Sequence, residues 1–426
     1  MEPSVPDDFE RMWSDLAPVG RSASSGGYFR QPFTTPEREL SAWFTEQAAA
    51  RSLRLESDPF GNVVAWWDAG ISRGEPQAAP VAGPAQRHAP PLPAVVTGSH
   101  LDSVLDGGAY DGPLGVVSAL AAVDLLRARG FRPGRPIGVS VFVEEEGSRF
   151  GLACLGSRLA TGATDWSRAR ALRDRHGVPL EEAMAEEGLE VENPQPWLDS
   201  ERIECFVELH VEQGRDLVDR GQAVGVASRI WPHGRYRVDI TGEPNHAGTT
   251  RMEDRQDPML TYAMTALAAN KQARVAGQRA TFGRVETTPN STNSVPSAVT
   301  AWMDARCESE EALADLVATI TRQAEERAER DGTTLTVTAE SVSGAVDFDA
   351  DLAARIAADH ETGDWPVIPT QAGHDAGVLS AQGIPSAMLF VRNPTGISHS
   401  PVEHAEIEDC LVGVSALAET LERLAT

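Results

Sequence analysis

Short, mostly apolar runs recur along this chain, and several are followed by stretches with helical periodicity. Residues 94–97 read as a buried strand, and residues 113–129 as a helix that turns Val116, Val117, Leu120, Val123 and Leu126 inward. Residues 137–143, 205–209 and 387–391 read as three more strands of the same apolar kind. Apolar strands alternating with helices are what a parallel sheet covered on both faces requires.

One block departs from that rhythm. Residues 236–241 alternate apolar and polar like a strand with one wet face, and residues 258–276 are helical. Two strands at 281–285 and 299–304, a charged helix at 308–330 and a strand at 334–339 follow. The order β-α-β-β-α-β is that of a ferredoxin-like domain. The expected architecture is therefore α/β and discontinuous. Residues 1–221 and 345–426 build a domain with a mostly parallel central sheet, interrupted by a second domain at 222–344.

Composition narrows the class. A length of 426 residues is too great for one ordinary domain, and 41% hydrophobic with 23% charged residues fits a globular chain. Lys plus Arg is 37 against 63 Asp plus Glu, a net charge of −26. Such a surface repels phosphate backbones and anionic lipid, so no nucleic-acid or membrane partner is expected. An acidic small-molecule substrate would need a local cation to hold it. No apolar run approaches the roughly 18 residues that span a bilayer, and the first residues, MEPSVPDDFERMW, lack an apolar signal core. Cys154, Cys205, Cys307 and Cys410 are too scattered for a disulfide framework or a thiolate metal site, which suits a reducing, cytoplasmic setting. Residues 69–93, rich in Pro, Ala and Gly, read as a solvated loop between strands.

Candidate chemistry gathers at strand ends. His100 and His210 close apolar runs, and His399 lies in the loop beyond another. Asp111 precedes the 113–129 helix, while Glu144, Glu145 and Glu146 follow the strand at 137–143. In an open α/β sheet, ligands bind beyond the carboxyl ends of strands, so these groups can converge. Any one His or acidic run is ordinarily a cap or a solvated turn; their joint placement argues for a site. Imidazoles and carboxylates without thiolates suit zinc, manganese, cobalt or nickel. Asp111 can bridge two ions roughly 3.5–4 Å apart. Asp102, two residues past His100, is placed to accept the second ring N–H and orient that ligand. Glu146 as ligand leaves Glu145 beside the attacking water as general base. In the inserted block, His246 sits in a small-residue loop where it can stabilise an oxyanion, and Asn293 and Arg306 flank the central hairpin, with Arg306 suited to clamp a carboxylate. His176 and His360 read as surface positions.

Six segments resemble one family closely: GSHLDSVLDGGAYDG (98–112), EEEGSRFG (144–151), FVELHVEQG (206–214), NHAGTT (245–250), AGHDAG (372–377) and GISHSP (396–401). It is the dinuclear metal amidohydrolase family of allantoate amidohydrolase, N-carbamoyl-L-amino acid hydrolase and β-ureidopropionase, relatives of zinc aminoacylases and carboxypeptidases. The resemblance implies a metallopeptidase-like catalytic domain with a ferredoxin-like lid and dimerisation domain. It implies two divalent ions per subunit on His100, Asp111, Glu146, His210 and His399, with Glu145 as general base. Gln213, His246, Asn293, Arg306 and Gly373 match substrate-contacting positions, and His246 matches a residue that can serve a partner subunit in a homodimer. The implied reaction is hydrolysis of a non-peptide C–N bond in a small ureido or carbamoyl acid. Allantoate comes first, N-carbamoyl-L-amino acids second, and N-formyl or N-formimino amino acids third. Aminoacylase or exopeptidase action is the alternative chemistry. A scaffold that has lost catalysis is disfavoured, because every ligand position is present.

Overall fold

A computed structural model of the chain describes residues 5–69, 92–192, 194–358, 360 and 364–426. Most of the Pro-rich stretch lies outside them. The chain divides into two compact units, one running up to Arg229 and resuming at Asp347, the other spanning Ile230–Val346.

The first unit is built on a nine-stranded sheet. At its centre Ile137–Phe142, Ala94–His100, Ile203–Val211 and Ser386–Val391 lie side by side in parallel. Three of these strands are buried at every position, and the fourth is exposed only at Glu204. This is why the sequence shows apolar runs there rather than alternation. Antiparallel strands flank the centre: Val63–Trp67 beyond Ile137–Phe142, and Val224–Ile230 beyond Ser386–Val391. The helix Pro113–Ala128 buries Leu114, Val116, Val117, Leu120, Val123 and Leu126 in the same core as Leu417 and Leu421 of Ile407–Leu424. At ~1.5–3 kcal/mol per buried aliphatic side chain, such a cluster fixes the helix firmly. Pro113 opens that helix, where its missing N–H costs nothing.

Pairing of Val224–Ile230 with Ser386–Val391, through Leu389 opposite Val226, corrects the expected boundary at 222. That segment belongs to the large sheet. Its partner lies far along the chain, so no local pattern marks it.

The second unit carries an antiparallel sheet in the order Thr334–Ser343, His233–Thr241, Ala298–Arg306, Arg279–Thr288. Two helices, Pro258–Ala276 and Glu310–Asp331, complete a β-α-β-β-α-β chain order. Burial alternates along His233–Thr241 and Ala298–Arg306, so one sheet face is covered and the other is wet. The covering helices start on side-chain caps, Asp257 to the Met259 N–H and Ser309 to the Ala312 N–H. They end on Gly277 and Gly332 in the left-handed region. No helix among the described residues is long and apolar enough to cross a membrane. His360, expected at the surface, is only 8% exposed and sets its Nδ1 2.9 Å from the Glu419 carboxylate.

Candidate metal centre

The four parallel strands deliver their carboxyl ends to one place. His100 is the last residue of its strand, and His210 the last but one of the neighbouring strand. The acidic run follows Ile137–Phe142, and the segment after Ser386–Val391 leads to His399. Two groups of side chains there have ligand atoms close enough to hold a cation: His100, Asp111 and His210, and Asp111, Glu146 and His399. Asp111 belongs to both.

Its two oxygens divide the work. Oδ1 lies 3.6 Å from His100 Nε2 and 3.2 Å from His210 Nε2. Oδ2 lies 3.5 Å from His399 Nε2, whose ring is also 3.5 Å from Glu146 Oε2. The first two rings are oriented from behind: His100 Nδ1 is 3.1 Å from the Asp102 carbonyl, and His210 Nδ1 is 2.9 Å from the Val211 carbonyl. Committing Nδ1–H to a carbonyl leaves the Nε2 lone pair aimed at Asp111. Both Nε2 atoms are buried and without a hydrogen-bond partner. Lone pairs facing a carboxylate at these distances require positive charge between them, as a ring proton or as a metal ion. Imidazole and carboxylate donors with orphaned, converging Nε2 atoms fit a divalent cation.

Electrostatics agree with that fit. Burial alone would lower His210, yet Asp111 and Glu208 raise it to about 9. Burial likewise opposes protonation of His100, but Glu145, Asp102 and Asp111 outweigh it and hold the ring well above its usual range. Burial pushes Glu145 up to about 7 and, with help from Asp102, Glu144 up to about 8.

Asp102 acts differently from the expectation. The nearest acceptor for the His100 ring is its main-chain carbonyl, with the carboxylate oxygen at 3.4 Å. That carboxylate instead accepts the backbone N–H groups of Glu145 and Glu146, both at 3.2 Å, and so fixes the acidic loop. Glu144 turns away to accept the N–H groups of Arg149 and Phe150. Gly112 completes the cradle, with φ of +87° and a virtual Cβ only 2.4 Å from the His100 ring. A side chain there would displace the His100 ring.

Glu145 Oε2 lies 3.6 Å from His100 Nε2, and Oε1 accepts the Cys154 thiol proton at 3.4 Å. Gln213 donates from Nε2 to Asp111 Oδ2 at 2.7 Å and lies 3.4 Å from His399 Nε2. Gly373 precedes buried His374 and has open space where a side chain would be. A third group, Glu208, His210 and His374, is also close enough for a cation. There, however, Glu208 already accepts from Ser99 Oγ at 2.7 Å and the Ala376 N–H at 3.0 Å, which makes it a strut between strand and helix. Glu208 escaped the sequence reading, although it shares a strand face with His210 two residues on.

In the second unit, His246 and Asn293 come together through pairing of Asn245–His246 with Ser294–Val295. His246 Nδ1 accepts the N–H groups of Gly248 and Thr249 at 3.0 and 3.2 Å. The ring proton of the neutral imidazole therefore resides on Nε2, which is left as a donor. Arg306 is elsewhere. It ends the strand Ala298–Arg306, whose Ala298 end is the one beside His246, and its guanidinium grips Asp304 at 2.7 and 3.2 Å. At ~3.4 Å per residue the two ends of that strand are roughly 27 Å apart.

Comparisons with known proteins agree with this architecture. Residues 96–423 match the family described as peptidase family M20/M25/M40. An N-carbamoyl-L-amino acid amidohydrolase of Geobacillus stearothermophilus is 33% identical over 98% of this chain and 98% of its own. An allantoate amidohydrolase of Escherichia coli is 31% identical over 94% of each chain. The crystal structure of an amidase of the hydantoinase/carbamoylase family from Burkholderia vietnamiensis superposes with a TM-score of 0.85 at 27% identity, covering 100% of this chain and 99% of the other.

Proposed function

The chain belongs to peptidase family M20/M25/M40, and on that premise we propose that it is a metal-dependent amidohydrolase that cleaves a non-peptide C–N bond in a small ureido or carbamoyl acid. Amidohydrolase action on C–N bonds is the chemistry its relatives are named for. The observation that carries the reading is the pair of ligand groups sharing Asp111, with Glu145 alongside. His100, His210, Asp111, Glu146 and His399 are the residues that would hold two divalent ions, zinc or manganese for preference. Bound there, such ions supply Lewis acidity to a water and to the scissile carbonyl.

The chain's own residues supply the rest. Glu145 takes the proton of the attacking water and returns it to the departing nitrogen. The Nε2–H of His246, set by the two backbone donors on Nδ1, stabilises the oxyanion, with Asn293 beside it. Arg306, released from Asp304, receives the substrate carboxylate. A small acid cannot reach Arg306 and His246 on one copy, given their separation along the strand. This supports a homodimer in which one copy contributes His246 to the other's site. The edge strand Arg279–Thr288, together with exposed Leu260, Met264, Leu267 and Val275 on the adjoining helix, suits such an interface.

Allantoate is the first substrate on this reading. The Geobacillus relative favours N-carbamoyl-L-amino acids as the second. The test is ammonia release with allantoate, N-carbamoyl-L-alanine, N-carbamoyl-β-alanine, N-formyl-L-glutamate and a dipeptide, with and without chelator. Amino-group appearance is followed in parallel, because deformylation and peptide cleavage release no ammonia. Chelator-sensitive turnover of a ureido or carbamoyl acid supports the assignment; cleavage of only the formyl compound or the dipeptide overturns the substrate class. Arg306→Ala is expected to raise KM for carboxylate substrates with a smaller effect on kcat, and an unchanged KM assigns the carboxylate to another partner.

A further inference from the structure

Glu403 lies outside the ligand set, yet it is the group against which Asp111 is held. The residue is 5% exposed. Oε2 accepts two backbone N–H groups, from Tyr110 at 2.9 Å and from Asp111 itself at 3.0 Å. Oε1 meets Ser398 Oγ at 2.8 Å, and the same hydroxyl is 3.1 Å from Asp111 Oδ2. Ser398 is the residue before His399. One carboxylate thus ties the segment bearing Asp111 to the segment bearing His399, across almost three hundred positions of sequence.

A Cβ on Gly108 would stand 2.1 Å from Glu403 Oε2, so the glycine lets the carboxylate reach the Asp111 backbone. The Glu403 N–H is itself fixed by the Ser400 carbonyl at 3.0 Å. Asp111 has to present one oxygen to each histidine set, and the rotation of its carboxylate decides whether both groups close together. On the side of His399, Gln213 Nε2 at 2.7 Å and the Ser398 hydroxyl at 3.1 Å meet Oδ2, and the bond from the Asp111 N–H to Glu403 fixes the main chain from which that carboxylate projects.

We propose that Glu403 is a positioning residue for metal binding, aligning Asp111 and, through Ser398, His399, so that the group Asp111, Glu146 and His399 closes on its ion. The proposal rests on the two-ion reading above. Its consequence is selective: loss of Glu403 weakens the ion held with His399 more than the ion held by His100 and His210, whose rings are oriented by other carbonyls.

The test compares wild type, Glu403→Ala, Glu403→Gln and Ser398→Ala. Zinc stoichiometry and affinity are read by competition with a chromophoric chelator, and melting of the metal-free proteins is recorded alongside. Gln keeps an acceptor oxygen for the two backbone amides and offers Ser398 an N–H, so it should bind both zinc ions within about 3-fold of wild type. Glu403→Ala should hold one zinc nearly as wild type and the other at least ~10-fold more weakly, the scale on which outer-shell partners act. Ser398→Ala should weaken the same ion by a smaller factor. A merely structural role would lower the melting temperature and leave both affinities unchanged; that result overturns the proposal, as does Gln failing like Ala. Fewer than two zinc ions on the wild type overturns the two-ion reading itself. Unchanged affinities in Glu403→Ala beside a two-zinc wild type overturn only the role of Glu403.

Discussion

Glu145→Gln is expected to lower turnover by at least ~10²-fold while leaving the metal content unchanged, the loss that follows removal of a general base. The substitution is nearly isosteric, and the position is held by contacts that do not depend on the charge. The Glu145 N–H is bound by Asp102, its carbonyl accepts the Cys154 N–H at 2.6 Å, and the residue is 5% exposed. The amide therefore sits where the carboxylate sat and cannot take a proton. Burial moves the Glu145 carboxyl from the ordinary carboxylate range up to about 7. Near-normal turnover by Glu145→Gln would remove the residue from the mechanism.

Asp111→Ala should have the larger effect on binding. Asp111 is the member common to both ligand groups, and each of its oxygens faces a different histidine set. Replacement of an outer partner typically costs about 10–100-fold in metal affinity, and loss of a shared ligand should exceed that for both ions at once. Turnover should then fall to the solvent background. The measurement is metal content by atomic emission after gel filtration in metal-free buffer. Retention of both ions by the variant would sink the bridging role. His210→Ala is the contrast, because its ring enters the first group and leaves Glu146 and His399 in place.

Much of this was legible in the sequence because the fold speaks locally where it matters. The central strands are buried on both faces, so each appears as an apolar run, and the candidate ligands stand at or just beyond the ends of those runs. The β-α-β-β-α-β block was legible for the opposite reason, since its strands have one wet face and alternate. Long-range pairing was not legible. Val224–Ile230 joins the large sheet through a partner more than 150 residues on, so the domain boundary was set too early. Glu403 takes two backbone donors from a segment almost three hundred positions away, and Glu208 takes its donors from Ser99 and Ala376, so the role of each depends on long-range contacts. Asp102 meets the His100 ring with its carbonyl at 3.1 Å and its carboxylate at 3.4 Å, a division set by turn geometry that spacing does not encode. Arg306 and Asn293 flank the same hairpin in sequence, yet the length of the strand Ala298–Arg306 puts them at opposite ends of the sheet.

The proposed hydrolysis of a ureido acid depends on two ions shared through Asp111. It is tested most directly by stripping the protein of metal and following ammonia release from allantoate as zinc is added back in known equivalents. Almost no release is expected from the stripped protein, with a rise that levels off at two equivalents per chain. Full turnover by the stripped protein, or a plateau at one equivalent, would contradict it.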